Sequence, residues 1–233
     1  MSEKMDIGVT ELNKFYEILS NLEKETREFS KKLSDLWWPK QGVYFFLDKN
    51  ENPINDFHRV VRVGTHGIRK PYTRLLRDRL KEHWGKENGG GEHRASIFRG
   101  YVGSCYIEDE ELQDKYPEWG KGRSAERNVK EREYELEKKV SNYIRNLSIL
   151  VLDIDSWEER KYIETNSIAF LSSPAVLRNE ISGKWLGHKC NFRNKGLTHQ
   201  LWNRQDCEKE VDDKFFEKLI KCVENTKKNW ESY

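Results

Sequence analysis

Apolar side chains in the first part of the chain recur at intervals of three and four residues. Leucines and aromatic residues keep this spacing from residue 9 to residue 36, which is typical of one face of an amphipathic helix. The pattern stops at Trp37, Trp38 and Pro39. The sequence therefore predicts a long N-terminal helix or helix pair.

Three short apolar runs have the composition of strands. Residues 42–47 and 59–64 are rich in aromatic and branched side chains and are separated by a polar, turn-rich segment, which predicts an antiparallel hairpin. Residues 147–154 are the most apolar run of the chain and predict a central strand. We therefore expect a small, mainly antiparallel sheet of three strands, at residues 43–47, 59–64 and 147–154.

Helical spacing returns between and after these strands. It covers residues 72–84, 133–146, 157–174 and 211–223, and Ser156 is a candidate N-cap for the third of these helices. The glycine-rich residues 85–91 and the charged residues 109–132 are expected to be loops, and residues 96–103 fit either a strand or a short helix. The predicted fold class is α/β (α+β), with the sheet flanked by helices.

The same pattern divides the chain into three parts. Residues 1–36 form an N-terminal helical extension, residues 37–205 the α/β domain, and residues 206–233 a C-terminal helix that packs on that domain. The N-terminal helix either covers the sheet or mediates self-association, so a homodimer is one option.

The composition indicates a folded protein in spite of a low mean hydropathy of −0.95. Eight tryptophans, ten tyrosines and ten phenylalanines need a core to bury them. No apolar run is long enough to span a membrane, and the N-terminus carries no export signal. The sequence thus predicts a cytoplasmic protein, and its four cysteines, which form no Cys-x-x-Cys pair, are expected to be reduced.

Charge is abundant but balanced, with 42 basic and 40 acidic residues. A nucleic-acid partner would therefore have to bind a local basic patch. The densest basic stretch, extended by two later arginines, contains the candidate phosphate-binding residues Arg69, Lys70, Arg74, Arg77, Lys81, Arg94 and Arg99. The alternative interpretation of this stretch is a solvated helix face.

Four sequence elements carry candidate chemistry. They are Gly42-Val43-Tyr44 at the start of the first strand, Arg62-Val63-Gly64 at the end of the second, Leu76-x-x-Arg79-x-x-x-His83 on the next helix, and Glu164 on the helix after the third strand. In this order and on these elements they resemble the GIY-YIG nuclease superfamily, over about residues 37–203.

The resemblance implies a metal-dependent endonuclease that hydrolyses phosphodiester bonds, in DNA rather than RNA. Tyr44 would orient or deprotonate the attacking water, and Arg79 would neutralise the phosphate. His83 would act as a proton partner or phosphate donor, and Glu164 would hold Mg²⁺ or Mn²⁺. Helical geometry agrees, because Arg79 and His83 are four residues apart and reach the same surface.

The chain departs from the family pattern at two positions. Arg62 stands where the second motif usually has a tyrosine, so general-base catalysis falls to Tyr44 or to His66, whose imidazole titrates near neutral pH. The late asparagine of the family is either Asn179 or Asn166. The competing hypothesis is a catalytically impaired nucleic-acid-binding module with the same fold.

A zinc site is a further alternative. His188, Cys190, His199 and Cys207 are close in sequence. Their spacing fits no common structural zinc pattern, so the sequence gives this site little support.

Overall fold

A four-stranded antiparallel sheet lies at the centre of the computed structural model, which describes residues 2–68, 74–174, 176, 184–190 and 201–231. The strands are β1 (Arg27–Glu28), β2 (Gly42–Asp48), β3 (Arg59–Gly64) and β4 (Ser148–Asp153). Within the described residues their order is β1-β4-β2-β3. The α/β fold class and the three expected strands are confirmed, and β1 is an additional strand.

Six α-helices flank the sheet in the described part of the chain. They are α1 (Ser2–Ser20), α2 (Leu76–Trp84), α3 (Ile97–Asp109), α4 (Arg127–Arg145), α5 (Trp157–Leu171) and α6 (Phe215–Glu231). The predicted N-cap of α5 is confirmed, because the Ser156 hydroxyl accepts a hydrogen bond from the Glu159 N–H at 3.2 Å. None of these helices combines the length and the apolarity that crossing a membrane requires.

Different helices cover the two faces of the sheet, because side chains of a strand alternate between its faces. Val43 and Phe45 of β2 pack in one core cluster with α1, α5 and α6, whereas Tyr44 and Phe46 pack in a second cluster with α2, α3 and α4. All seven residues of β2 are buried. The N-terminal helix α1 therefore covers one face of the sheet, which is one of the two roles considered for it.

The N-terminal helix is shorter than its apolar spacing predicts. It ends at Ser20, and the chain then forms β1, where Arg27 pairs with Ile149 of β4. The Phe29 N–H extends this pairing by donating to the Leu147 carbonyl at 3.0 Å. The extended backbone is stabilised by a strand far along the sequence, which a local pattern does not report.

Two other boundaries differ from the sequence prediction. Residues 97–103 belong to the helix α3, whose N-cap Ser96 accepts a hydrogen bond from the Arg99 N–H. The helix α4 begins at Arg127, inside the charged segment expected to be a loop. Its outward side chains are solvated, so a high charge density does not prevent helix formation there.

The cysteines contradict the expectation of four reduced thiols. Cys105 of α3 and Cys190 form a disulfide bond, whereas Cys207 and Cys222 are free and buried. Because Cys190 is in this disulfide bond, it is not available as a zinc ligand. His199 lies outside the described residues. Among the described residues these side chains form no metal-binding group.

We predict that replacing Phe15 of α1 with alanine lowers the free energy of unfolding by about 3–5 kcal/mol. Its fully buried ring contacts Phe45 of the sheet, Phe170 of α5 and Phe215 of α6. Urea denaturation followed by circular dichroism measures the change. The control Val9→Ala, on the 37% exposed Val9 of the same helix, should change the value by less than about 0.5 kcal/mol, and equal losses would contradict this packing.

Candidate functional site

The Tyr44 side chain lies across the neighbouring strand β3. Tyr44 of β2 is the register partner of Gly64, the last residue of β3. A Cβ atom at position 64 would overlap with the Tyr44 ring and hydroxyl group. Only glycine therefore allows this tyrosine to cross β3 and to reach the helices that cover this face of the sheet.

The Tyr44 hydroxyl group begins a buried chain of hydrogen bonds. Its oxygen lies 2.9 Å from Nε2 of His83, and Nδ1 of His83 lies 2.8 Å from Oγ of Ser96. Tyr44 is 1% exposed, and His83 and Ser96 are fully buried. These hydrogen bonds thus connect β2 to α2 and to the N-cap of α3.

His83 is held in its neutral form. Burial in the core lowers the pKa of His83 well below its ordinary value, and the positive charges of Arg79, Arg62 and Arg99 lower it further. At neutral pH the imidazole is therefore a hydrogen-bonding group without a charge. One ring nitrogen of the neutral imidazole donates a hydrogen bond, and the other accepts one.

Two guanidinium groups, those of Arg62 and Arg79, interact electrostatically with Tyr44. Burial alone would lower the pKa of Arg79, but Tyr44 and Glu82 outweigh it and raise the pKa. Arg79 donates to Glu82 at 2.6 Å and to the Ala95 carbonyl at 3.2 Å. Burial lowers the pKa of Arg62, and Tyr44 offsets only part of this effect.

Arg62 also reaches a small polar cavity that Tyr44 does not line. This cavity of about 130 Å³ is lined by Arg62, Ile68, Ile97, Tyr101, Lys161, Glu164, Ile168, Asn203, Arg204, Gln205 and Asp206. Glu164 accepts a hydrogen bond from the Thr65 N–H at 3.1 Å, and the Lys161 ammonium lies 3.3 Å from its other oxygen. Arg62 is thus the link between the Tyr44 group and Glu164.

The cavity lies at the edge of the sheet, where the two helical layers meet. The edge strand β3 is held by Asn203, whose amide accepts from the Val63 N–H at 3.0 Å and donates to the Val63 carbonyl at 2.8 Å. The Trp202 N–H donates to the Val61 carbonyl at 2.7 Å, and Arg62 donates to the Trp202 carbonyl. These contacts use the free backbone groups of the edge strand.

The alternative base His66 is buried apart from this cavity. It is 4% exposed, and neither ring nitrogen has a hydrogen bond of good geometry in the described structure. Burial and the charge of Arg160 lower the pKa of His66 to about 4. His66 is therefore neutral at physiological pH and a weak base.

Two residues predicted to contact nucleic acid, Arg94 and Arg99, lie in buried ion pairs. Arg94 binds both oxygens of Glu133, at 2.7 and 2.9 Å, and its side chain is 2% exposed. Arg99 is fully buried and binds Glu137, and it also donates to the His83 carbonyl at 2.9 Å. A guanidinium group that is desolvated and paired in this way is not available to a phosphate.

The remaining predicted residues fall into three groups. Arg69, Lys70 and Asn179 lie outside the described residues. Arg77 and Lys81 are exposed on α2, and the exposed Arg74 pairs with Glu82. The alternative asparagine, Asn166, donates to the Tyr162 carbonyl and accepts from the Asp212 N–H, away from the cavity lining.

A second acidic group could hold an ion by proximity alone. The ligand atoms of Glu92, His93 and Glu137 all lie within 4.8 Å of one another. Both nitrogens of the His93 ring are already hydrogen bonded, to Glu137 and to the Gly120 N–H. Glu137 is neutralised by Arg99, and Glu92 pairs with Lys130, so these charges are balanced without a metal.

The sequence analysis missed four residues of this region: Ser96, Lys161, Asn203 and Asp206. Ser96 carried a usable signal, since a serine directly before an apolar helical run is typical of an N-cap. Asn203 carried none, because its role depends on the docking of residues 201–203 against β3. Lys161 and Asp206 meet only in the folded chain, at 2.7 Å.

Comparison with known proteins identifies one match. A family model described as the GIY-YIG domain matches residues 8–229, nearly the whole chain. No curated protein and no solved structure matches the chain.

We predict that acidification below pH 6.5 destabilises the fold through its buried histidines. The folded pKa of His66 is about 4 and that of His83 is also lowered, whereas an unfolded histidine has a pKa of about 6.5. The unfolded state then binds more protons, so this stabilisation is complete above about pH 6.5 and is lost as the pH falls toward the folded pKa. Each histidine contributes at most about 1.4 kcal/mol per pH unit.

Urea denaturation at pH 7.5 and pH 5.5 measures this dependence. The variant His83→Gln should show a smaller loss between the two pH values than the unmodified protein. The control His58→Gln, at an exposed histidine, should keep the original pH dependence. An unchanged pH dependence in His83→Gln would contradict the neutral, buried state of His83.

Proposed function

The chain belongs to the GIY-YIG family, and from that premise we propose that it is a metal-dependent endonuclease that hydrolyses phosphodiester bonds, preferably in DNA. A nuclease-type function follows from the family, and nucleic acid is then the substrate. The observation that supports the proposal most is the hydrogen bond of the Tyr44 hydroxyl to His83, together with the interaction of Tyr44 with Arg62, which lines the same cavity as Glu164.

The two arginines have the properties that phosphate binding requires. The transition state of phosphodiester hydrolysis carries added negative charge, and preformed cationic donors stabilise it. Arg62 lines the cavity, and the pKa of Arg79, which interacts with Tyr44, is raised, so its charge is maintained. Arg62 thereby supplies a cation at the position of the missing motif tyrosine.

Tyr44 is proposed to orient the attacking water through its hydroxyl oxygen. In this role the phenolic O–H donates to Nε2 of His83, and Nδ1–H of His83 donates to Oγ of Ser96. This assignment uses the neutral imidazole that burial enforces. With its own proton in the hydrogen bond to His83, the Tyr44 oxygen orients the water by accepting a hydrogen bond from it, and Arg62 and Arg79 stabilise the negative charge of the phosphate.

Access to Tyr44 is proposed to depend on Arg62. Tyr44 is 1% exposed and does not line the cavity, whereas Arg62 does. A phosphate that enters the cavity attracts the Arg62 guanidinium, and displacement of this side chain opens a path between the cavity and the Tyr44 hydroxyl. Substrate binding would in this way complete the site.

Glu164 is the residue proposed to hold the metal. Its side chain lines a polar cavity, and one of its oxygens already binds a cation, the Lys161 ammonium. A carboxylate oxygen in a polar cavity is a ligand that Mg²⁺ and Mn²⁺ accept. When bound, the ion neutralises phosphate charge and lowers the pKa of its water.

A second candidate function is a nucleic-acid-binding module without catalysis. The buried hydroxyl of Tyr44 and the replacement of the second motif tyrosine by Arg62 favour it. In such a module Arg62 and Arg79 would bind phosphate, and no water would reach Tyr44.

A basic groove next to α2 is the proposed binding surface for the nucleic-acid backbone. It measures about 310 Å³ and is lined by Lys32, Leu33, Ser34, Arg77, Lys81, Trp84, Gly85, Lys86 and Glu87. Four of these side chains are cationic and one is anionic. The helix α2 contributes to both the groove and the site. Arg77 and Lys81 are exposed and line the groove, whereas Arg79 and His83 of the same helix interact with Tyr44.

We predict that the purified 233-residue chain cleaves plasmid DNA with Mg²⁺ or Mn²⁺ and that chelation by EDTA abolishes cleavage. Glu164→Gln and Tyr44→Phe should each lower the rate by about 100-fold or more. Gel assays with matched DNA and RNA substrates measure the rates and test the preference for DNA.

Glu158→Gln is the matched control, because Glu158 is an exposed carboxylate on the same helix. It should leave cleavage unchanged. Equal cleavage by the unmodified protein and Glu164→Gln would refute the assignment of Glu164. Nucleic-acid binding without cleavage under every metal would favour the module.

We predict that the double variant Arg77→Gln/Lys81→Gln weakens DNA binding for all sequences alike. Loss of two phosphate contacts should reduce the slope of log K against log salt concentration by roughly 1.8. Fluorescence anisotropy at several salt concentrations measures it. The control Lys227→Gln/Lys228→Gln removes the same charge from exposed positions on α6, and an equal loss there would contradict the groove.

A further inference from the structure

One lysine at the proposed metal site contacts two carboxylates. The Lys161 ammonium lies 3.3 Å from Oε2 of Glu164 and 2.7 Å from Oδ2 of Asp206. All three side chains line the same cavity.

Asp206 is fixed in position by further contacts. Its Oδ2 also accepts a hydrogen bond from the Thr165 hydroxyl at 3.1 Å, and its Oδ1 pairs with Lys209 at 2.8 Å. Its backbone has a φ of 66°, a left-handed conformation that aspartate and asparagine adopt more readily than most residues other than glycine. The carboxylate is therefore held next to Lys161 whether or not Lys161 also contacts Glu164.

We propose that Lys161 competes internally with the divalent cation for Glu164, and that Asp206 is the positioning residue that holds the ammonium when the cation binds. The inference rests on the proposed role of Glu164 as the metal ligand. It adds Lys161 as a residue that sets the metal affinity. It also adds Asp206 as a residue that lowers the free energy needed to move the Lys161 ammonium away from Glu164.

Electrostatics explains why the two cations exclude each other. An ammonium group and a divalent cation at the same carboxylate oxygen repel each other strongly in a partly buried site. The flexible lysine stem allows the ammonium to leave Glu164 without moving α5. Because the contact to Asp206 is the shorter of the two, Lys161 gives up only its longer contact and stays paired.

The test is Mn²⁺ binding to the 233-residue chain without nucleic acid, measured by electron paramagnetic resonance of free Mn²⁺. Lys161→Met should tighten Mn²⁺ binding by about tenfold. Lys161→Gln serves as a second variant, and circular dichroism shows whether each variant is folded.

Lys209→Met is the matched control. It removes the same charge from the other oxygen of Asp206, and Glu164 is not among the ion-pair partners of Lys209 in the described residues. It should change the affinity by less than about threefold. Equal tightening by Lys161→Met and Lys209→Met would mean a general charge effect and would overturn the proposal.

Asp206→Asn separates the proposed role of Asp206 from direct metal binding. Asparagine tolerates the left-handed backbone, and its loss of charge should strengthen the contact of Lys161 with Glu164. We expect weaker Mn²⁺ binding in the otherwise unmodified chain and no further effect in the Lys161→Met background. An equal loss in both backgrounds would identify Asp206 as a metal ligand and overturn its positioning role.

Glu164→Gln distinguishes failure of this inference from failure of the proposed function. If Glu164→Gln leaves Mn²⁺ binding unchanged, the metal site itself is wrong, and the competition falls with it. If Glu164→Gln abolishes binding while Lys161→Met fails to tighten it, the competition alone is wrong.

Discussion

The absence of a Cβ atom at Gly64 is the constraint on which the candidate site depends. It lets the Tyr44 ring cross from β2 over β3, so that the hydroxyl meets His83 of α2. The antiparallel register places these two residues opposite each other, and a shift by one residue would turn Tyr44 to the other face of the sheet. Strand register and a glycine thus set the position of the proposed catalytic group.

Buried ion pairs then fix the helices around Tyr44. Arg99 of α3 binds Glu137 of α4 and the His83 carbonyl of α2, so one guanidinium connects three helices. Its charge also helps to keep His83 neutral. Some of the positive and negative charges that balance in the composition are therefore structural. Pairs such as Arg94 with Glu133 are buried, so they tell little about the partner of the protein.

The site joins the two helical layers at the edge of the sheet. Tyr44 faces the α2 layer, Glu164 belongs to the α5 layer, and Arg62 of the edge strand reaches both. The segment around Asn203 covers the edge and keeps β3 in place. A nucleic-acid backbone that approaches this edge would meet cations from one layer and the carboxylate from the other.

The sequence by itself determined the three main strands, the helix that carries Arg79 and His83, and the helix of Glu164, because strand alternation, helical spacing and the Ser156 cap are local. It also determined the family, since the motif residues stand in a fixed order on these elements. Only the tertiary structure decided that β1 pairs with β4, that Arg99 is buried in an ion pair, and that Asn203, Lys161 and Asp206 join Glu164. These outcomes depend on contacts between residues far apart in sequence, whose burial and pairing no local pattern records.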